Sequence, residues 1–152
     1  MLFLLFQADA DTYALEAGLV AAVLPRVPLR SCPGTPERVA GLLSYRGMAV
    51  PVLDFSLLTG RRACADWLST RILLLQWQNA GNERRVGLMV EEAVRLAHWA
   101  PEAFKPAGVA GREGLIVQRV NPRRLLTPEF LPELFTGDQE AAREGAMPRG
   151  DA

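Results

Sequence analysis

Residues 36–58 read PERVAGLLSYRGMAVPVLDFSLL, and the fold turns on how this stretch divides. Pro36 opens it, and residues 37–44 place Val39, Leu42 and Leu43 at helical spacing, which predicts a short amphipathic helix. Tyr45-Arg46-Gly47 makes a tight turn, with Gly47 free to take a backbone angle that side chains resist. Residues 48–55 form a compact apolar strand with Asp54 near its end, and Ser56-Leu57-Leu58 begins another helical turn. Arg46 is the one cation in the tight part of this unit. A guanidinium on a rigid turn has a fixed direction, which suits a structural ion pair or recognition of a partner's carboxylate.

Upstream, LFLLFQ at residues 2–7 is apolar on both faces, so it reads as a central strand; ADAD is a turn and TYAL a returning strand. Residues 15–24 fit either a helix or a strand, and the favoured division is a brief helical turn at 16–19 followed by a strand to Leu24. Pro25, Pro28 and Pro33-Gly34 make residues 26–35 an extended connection. Downstream, residues 70–77 (TRILLLQW), 86–90, 94–99 and 115–120 read as strands, with Glu91-Glu92 a bulge or solvated corner. Residues 101–114 are rich in Pro and Gly and poor in apolar side chains. Asn121-Pro122 caps a helical turn, Thr127-Pro128 starts a second short helix, and residues 137–152 read as a disordered tail. Short strands separated by turns indicate a mainly β protein of barrel type.

The totals narrow the function. With 152 residues and 49% hydrophobic content, the chain has room for one domain or two very small packed ones. Lys+Arg and Asp+Glu are both 17, so the basic excess of a nucleic-acid binder is missing, and neutral, shape-based protein contacts stay open. Cys32 and Cys64 are far apart, with no CxxC, and read as reduced thiols of a cytosolic protein. The apolar start is too short for a signal peptide, and no run approaches the about 20 residues of a membrane helix.

Catalysis needs a set of groups, and none assembles. The single His98 lies between Ala97 and Trp99 without ligand-type neighbours, which points to a satisfied or edge histidine rather than a metal site. Neither cysteine has a His in motif spacing, no GxSxG surrounds a serine, and Gly108, Gly111 and Gly114 lead into a strand with no GK[ST]. Arg61-Arg62, Arg84-Arg85 and Arg123-Arg124 read mainly as solvated turn charge, the alternative being contact with an acidic partner helix. No cofactor or metal is expected.

Five pieces in order then resemble the CheW family of chemotaxis coupling proteins. LFLLFQADADTYALEAGLVAAVL from Leu2 is similar to the family's opening strands, and PERVAGLLSYRGMAVPVLDFSLLTG from Pro36 to its R-G turn and V-P-V-x-D strand. TRILLLQW from Thr70, RRVGLMVEEAVRL from Arg84 and VNPRRLLTPEFL from Val120 resemble its later strands and closing N-x-x-x-L-L. The first half looks most similar to CheW-like adaptors of Wsp-type surface-sensing systems. The resemblance implies one CheW-like domain over residues 1–136, built of two small five-stranded SH3-like barrels with short helices. The halves fall near 1–66 and 67–127, with strands able to cross between them.

The resemblance also implies a non-catalytic adaptor, cytoplasmic and recruited to membrane receptor arrays. Its partners would be the cytoplasmic hairpin tip of a chemoreceptor and the regulatory domain of a CheA-type histidine kinase, with no nucleic acid and no membrane insertion. The alternative is a module that binds only one of the two as a competing or regulatory partner. Arg46 and Gly47 match the family's turn, Gly41 its upstream glycine, and Val20 a receptor-groove position. Two departures stand out. Ala22 falls where family members often carry a Glu able to pair with the turn arginine, which leaves Asp54 or a partner's carboxylate for Arg46. Residues 106–115 are shorter than the family's usual passage, which puts a strand of the second barrel in doubt.

Overall fold

Leu2–Ala8 (β1) takes neighbours on both edges, as its two apolar faces require. Asp11–Glu16 (β2) returns antiparallel to it, and a 3-10 turn over Ala17–Leu19 leads into Val20–Pro25 (β3). Val39–Tyr45 (β4), Met48–Asp54 (β5) and a one-turn helix, Phe55–Leu58 (α1), follow. Arg71–Asn79 (β6), Asn82–Val90 (β7), Glu92–His98 (β8), Val109–Arg112 (β9) and Leu115–Val120 (β10) complete the strands. This computed structural model describes residues 1–125 except 32, 35, 80, 105–107 and 113. The helix and tail read from the sequence beyond Leu125, and Cys32, lie outside the described residues.

Met1–Val120 form one unit holding both sheets. The first sheet has the order β8-β1-β2-β10-β9 and the second β3-β6-β7-β5-β4. Each repeats one pattern: an antiparallel edge strand, an antiparallel pair, a parallel step (β2 to β10, β7 to β5) and a closing antiparallel pair. The second sheet is continuous in sequence, whereas the first joins the first two strands to the last three. The sheets are therefore interleaved, and no cut near residue 66 separates them. The parallel steps are the reason, because they pair strands that local hairpin signals leave apart. Neither sheet closes its hydrogen bonding into a complete barrel. Pro25 and Pro28 end β3, and the chain crosses to the free edge of β4, where Arg30 and Leu42 exchange two backbone hydrogen bonds of 2.9 Å.

Two differences from the sequence reading have local causes. Residues 37–44 do not form a helix; β4 runs through them. Its burial alternates, with Val39, Gly41 and Leu43 inward, so the period of two prevailed over the coincident helical spacing. The Gly-rich passage before the last strand does hold a strand, β9, which pairs with β10 and brings the first sheet to five. Propensity within VAGR is weak, and the neighbouring strand supplies the order.

Each sheet wraps its own core. Phe3, Leu5, Ala14, Trp99, Phe104, Ala110 and Val117 fill the first. Leu43, Val50, Val52, Ile72 and Leu74 fill the second, with Ala22 and Leu24 of β3 and Tyr45 of β4 packed against them. The opposite face of β6 is buried too, through Leu73 and Leu75. Phe55 joins the sheets: its ring meets Phe6 edge-on at 4.8 Å and Tyr13 at 4.7 Å, while Phe6 stacks on Tyr13 at 5.6 Å. The second unit begins at Asn121, whose side-chain oxygen accepts from Arg123 N at 3.1 Å and caps Pro122–Leu125 (α2). No helix among the described residues is long and apolar enough to cross a membrane.

Candidate functional site

The β4–β5 register pairs Tyr45 with Met48, leaving Arg46-Gly47 as a two-residue loop. Both central residues have positive φ, 48° at Arg46 and 77° at Gly47, which defines the mirror-image turn that twists with its strands. The sequence pointed to Gly47 alone for this conformation, so Arg46 is the more constrained of the two. Its side chain is exposed, and the guanidinium lies 5.2 Å from the centroid of the Tyr45 ring. No carboxylate among the described residues pairs with it. Asp54 is not its partner: that carboxylate is buried at the far end of β5, accepting from Leu57 N at 3.2 Å and Cys64 N at 2.8 Å as the cap of α1.

Around the turn, Met48 is exposed and contacts the Arg85 guanidinium, which also pairs with Glu83 at 3.1 Å. Val20 stands elsewhere, half-buried at the start of edge strand β3 and paired with Leu75. Gly41 is buried in β4, where a Cβ would stand 2.7 Å from the Arg30 carbonyl oxygen and 2.8 Å from Leu29 Cβ. It clears the backbone crossing that follows β3. The turn thus unites Arg46 and Gly47, while Gly41 lies behind it on the same strand and Val20 on the opposite edge strand of the sheet.

Arg61 is a structural cation the sequence concealed. Its side chain is 19% exposed, and the guanidinium pairs with Asp9 at 3.3 Å and with Asp11 and donates to Tyr13 Oη at 2.8 Å and Thr59 Oγ1 at 2.6 Å. It also lies 5.6 Å from the Tyr13 ring. The hydrogen bond from Arg61 to Tyr13 raises the arginine's already high pKa. Far from being solvated turn charge, it ties the β1–β2 hairpin of one sheet to the end of α1 in the other. Only the separation of Asp9-Ala10-Asp11 from Gly60-Arg61 along the chain hid this.

No three His, Cys, Asp or Glu side chains converge as a metal site among the described residues. Cys64 sits under Ser56 Oγ at 3.4 Å, and burial pushes its thiol up to about 12, so thiolate is scarce at neutral pH. Glu91 is spent on Ala65 N at 3.1 Å. These groups hold loops in place.

The model described as a CheW-like domain matches residues 2–126. The chain belongs to the CheW-like domain family. Among solved structures, scaffolding protein TtCheW from Thermoanaerobacter tengcongensis superposes with a TM-score of 0.70 at 20% identity, covering 79% of this chain and 83% of that one. A search of curated proteins returns no match. CheW-like domains are non-catalytic scaffolds of chemotaxis-type signal transduction, and this chain is one of them.

Proposed function

We propose that this CheW-like domain is a coupling adaptor joining the cytoplasmic hairpin tip of a chemoreceptor to the regulatory domain of a CheA-type histidine kinase. It works in the cytoplasm and reaches membrane receptor arrays through the receptor it binds. Arg46 and Gly47 form one contact, Val20 contributes at the β3 edge, and Gly41 acts by keeping β4 and its turn in place. The observation that carries this reading is Arg46: exposed, aimed by a two-residue turn, braced on Tyr45, and unpaired with any carboxylate among the described residues. Such a group meets a partner carboxylate or helix C-terminus with little ordering cost.

Arg46→Asn tests it, because Asn-Gly is the preferred pair for this turn and only the guanidinium is lost. Stability should hold or rise by up to about 1 kcal/mol. Affinity for a receptor hairpin fragment or for the kinase regulatory domain, measured by calorimetry, should fall between about tenfold and a hundredfold, the worth of one charged hydrogen bond. Unchanged binding to both proteins refutes the contact. Wild-type binding to only one of them identifies a competing or regulatory module instead.

A further inference from the structure

The methionines among the described residues differ in their surroundings. Met89 packs against the second core, whereas Met1 and Met48 are 50% and 48% exposed. Met48 has a cation aimed at its sulfur. Arg85 Nε donates to Gln76 Oε1 at 3.2 Å, its Nη2 pairs with Glu83 Oε2 at 3.1 Å, and Gln76 closes the ring by donating to Glu83 Oε1. The guanidinium, held at two of its three nitrogens, presents the third, Nη1, to Met48 Sδ. A thioether is a weak acceptor, so this fixed donor is poorly used. A sulfoxide oxygen is polar and accepts far better, so the surroundings suit the oxidised side chain more than the reduced one.

We infer that Met48 is a reversible oxidation site, where peroxide produces a sulfoxide locked by Arg85, and that this change weakens the contact made by the Arg46 turn. A sulfur lone pair attacks one oxygen of hydrogen peroxide, and the O–O bond breaks. The departing hydroxide takes the proton of the transferred hydroxyl, so sulfide and peroxide become sulfoxide and water. Arg85 donates to the leaving hydroxide as charge develops on it, and then to the sulfoxide oxygen. Two thiols of a methionine sulfoxide reductase reverse the change, giving sulfide, a disulfide and water. Position links the site to the turn. Met48 pairs with Tyr45 across the Arg46-Gly47 loop, and members of such a pair share one face with Cβ atoms about 5 Å apart. The thioether therefore stands beside the ring that braces Arg46. Oxidation replaces an exposed apolar side chain there with a polar one, whose oxygen competes with a partner's carboxylate for the cations of the turn. The oxidation site goes beyond the proposed function; its effect on binding rests on that reading.

The full chain is treated with hydrogen peroxide, and peptide mass spectrometry follows each methionine. Met48 should oxidise about three- to tenfold faster than Met1, its match in exposure, which is the worth of one hydrogen bond in the transition state. Arg85→Ala should remove that advantage. Met48 oxidising no faster than Met1, or equally fast without Arg85, overturns the inference. The oxidised chain should melt within about 2 °C of the untreated one, because the sulfoxide stays at the surface and gains a donor. A larger drop marks damage to the fold and overturns the inference too. Binding to the receptor hairpin fragment and to the kinase regulatory domain is then measured by calorimetry. The partner weakened by Arg46→Asn should bind the oxidised chain about five- to tenfold less tightly and recover after reductase treatment. Met48→Leu, which keeps the apolar bulk without the sulfur, should bind normally and ignore peroxide. Unchanged binding after complete oxidation of Met48, or peroxide sensitivity that persists in Met48→Leu, overturns the switch and leaves the proposed function standing. If neither protein binds the untreated chain, the proposed function fails and the switch falls with it.

Discussion

Gly41→Ala separates two explanations of one residue. As a contact position, Gly41 would be replaceable without loss of stability, and only binding would suffer. The geometry says otherwise. The added Cβ would lie 2.7 Å from the Arg30 carbonyl oxygen and 2.8 Å from Leu29 Cβ, both on the segment that bridges to Leu42. Neither is the far end of a flexible chain, so the crossing must move and its two 2.9 Å hydrogen bonds must stretch. Overpacking of this kind costs about 1–3 kcal/mol. The residue also sits at φ 155°, a conformation side chains avoid, for about 1 kcal/mol more. Their sum is about 3 kcal/mol, since the strains share one relaxation. At about 2–4 °C per kcal/mol for a chain of this size, melting should drop by about 6–12 °C, with a matching fall in urea midpoint. Hydrogen exchange at Arg30 and Leu42 should quicken before that of β6. A variant that melts within about 2 °C of the parent refutes the clearance argument and returns Gly41 to the partner surface.

Two further perturbations probe groups partly buried by the fold. Arg61→Ala strips hydrogen bonds from Asp11, Tyr13 and Thr59 together, so urea denaturation should show a loss of about 2–3 kcal/mol, discounted because both carboxylates are half-exposed or more. Arg61→Lys should restore less than half, because one ammonium replaces a fork; a loss below about 0.5 kcal/mol in the alanine variant refutes the clasp. For Cys64, the folded thiol titrates above its ordinary value of 9.0, near 12, so neutral thiol is favoured by folding. Its contribution is complete below pH about 9 and disappears as pH rises toward 12. In a Cys32→Ser background, iodoacetamide should therefore label Cys64 far more slowly than a free thiol at pH 9, and rapid labelling there contradicts the burial.

What the sequence disclosed depended on how locally each feature was encoded. β1 announced itself because Leu2 to Phe6 is apolar on both faces, and the switch from 3-10 turn to β3 near Val20 was readable through Pro25. The turn at Arg46-Gly47 was readable through its glycine. β4 was misread because Val39, Leu42 and Leu43 satisfy helical spacing, the inward alternation of Val39 and Leu43 passes through the side-chain-free Gly41, and the arbiter, Arg30, lies outside the segment. β9 was missed because its order comes from β10. The Arg61 clasp joins positions 50 residues apart and the pairing of β2 with β10 joins positions more widely separated still, and no periodicity encodes them. The candidate surface was legible in type and not in layout. Arg46 was found, whereas the separation of Val20 from it required the fold.

The interleaving of the sheets has a consequence for synthesis. The second sheet occupies one uninterrupted span, Val20–Val90, and can assemble as soon as that span leaves the ribosome. The β1–β2 hairpin emerges first yet must wait for β10, the strand that completes its edge and delivers Val117 to Phe3 and Leu5. During that interval Phe3, Leu5 and Ala14 remain without a core of their own. The nascent hairpin is then the aggregation-prone and chaperone-accessible part of the molecule.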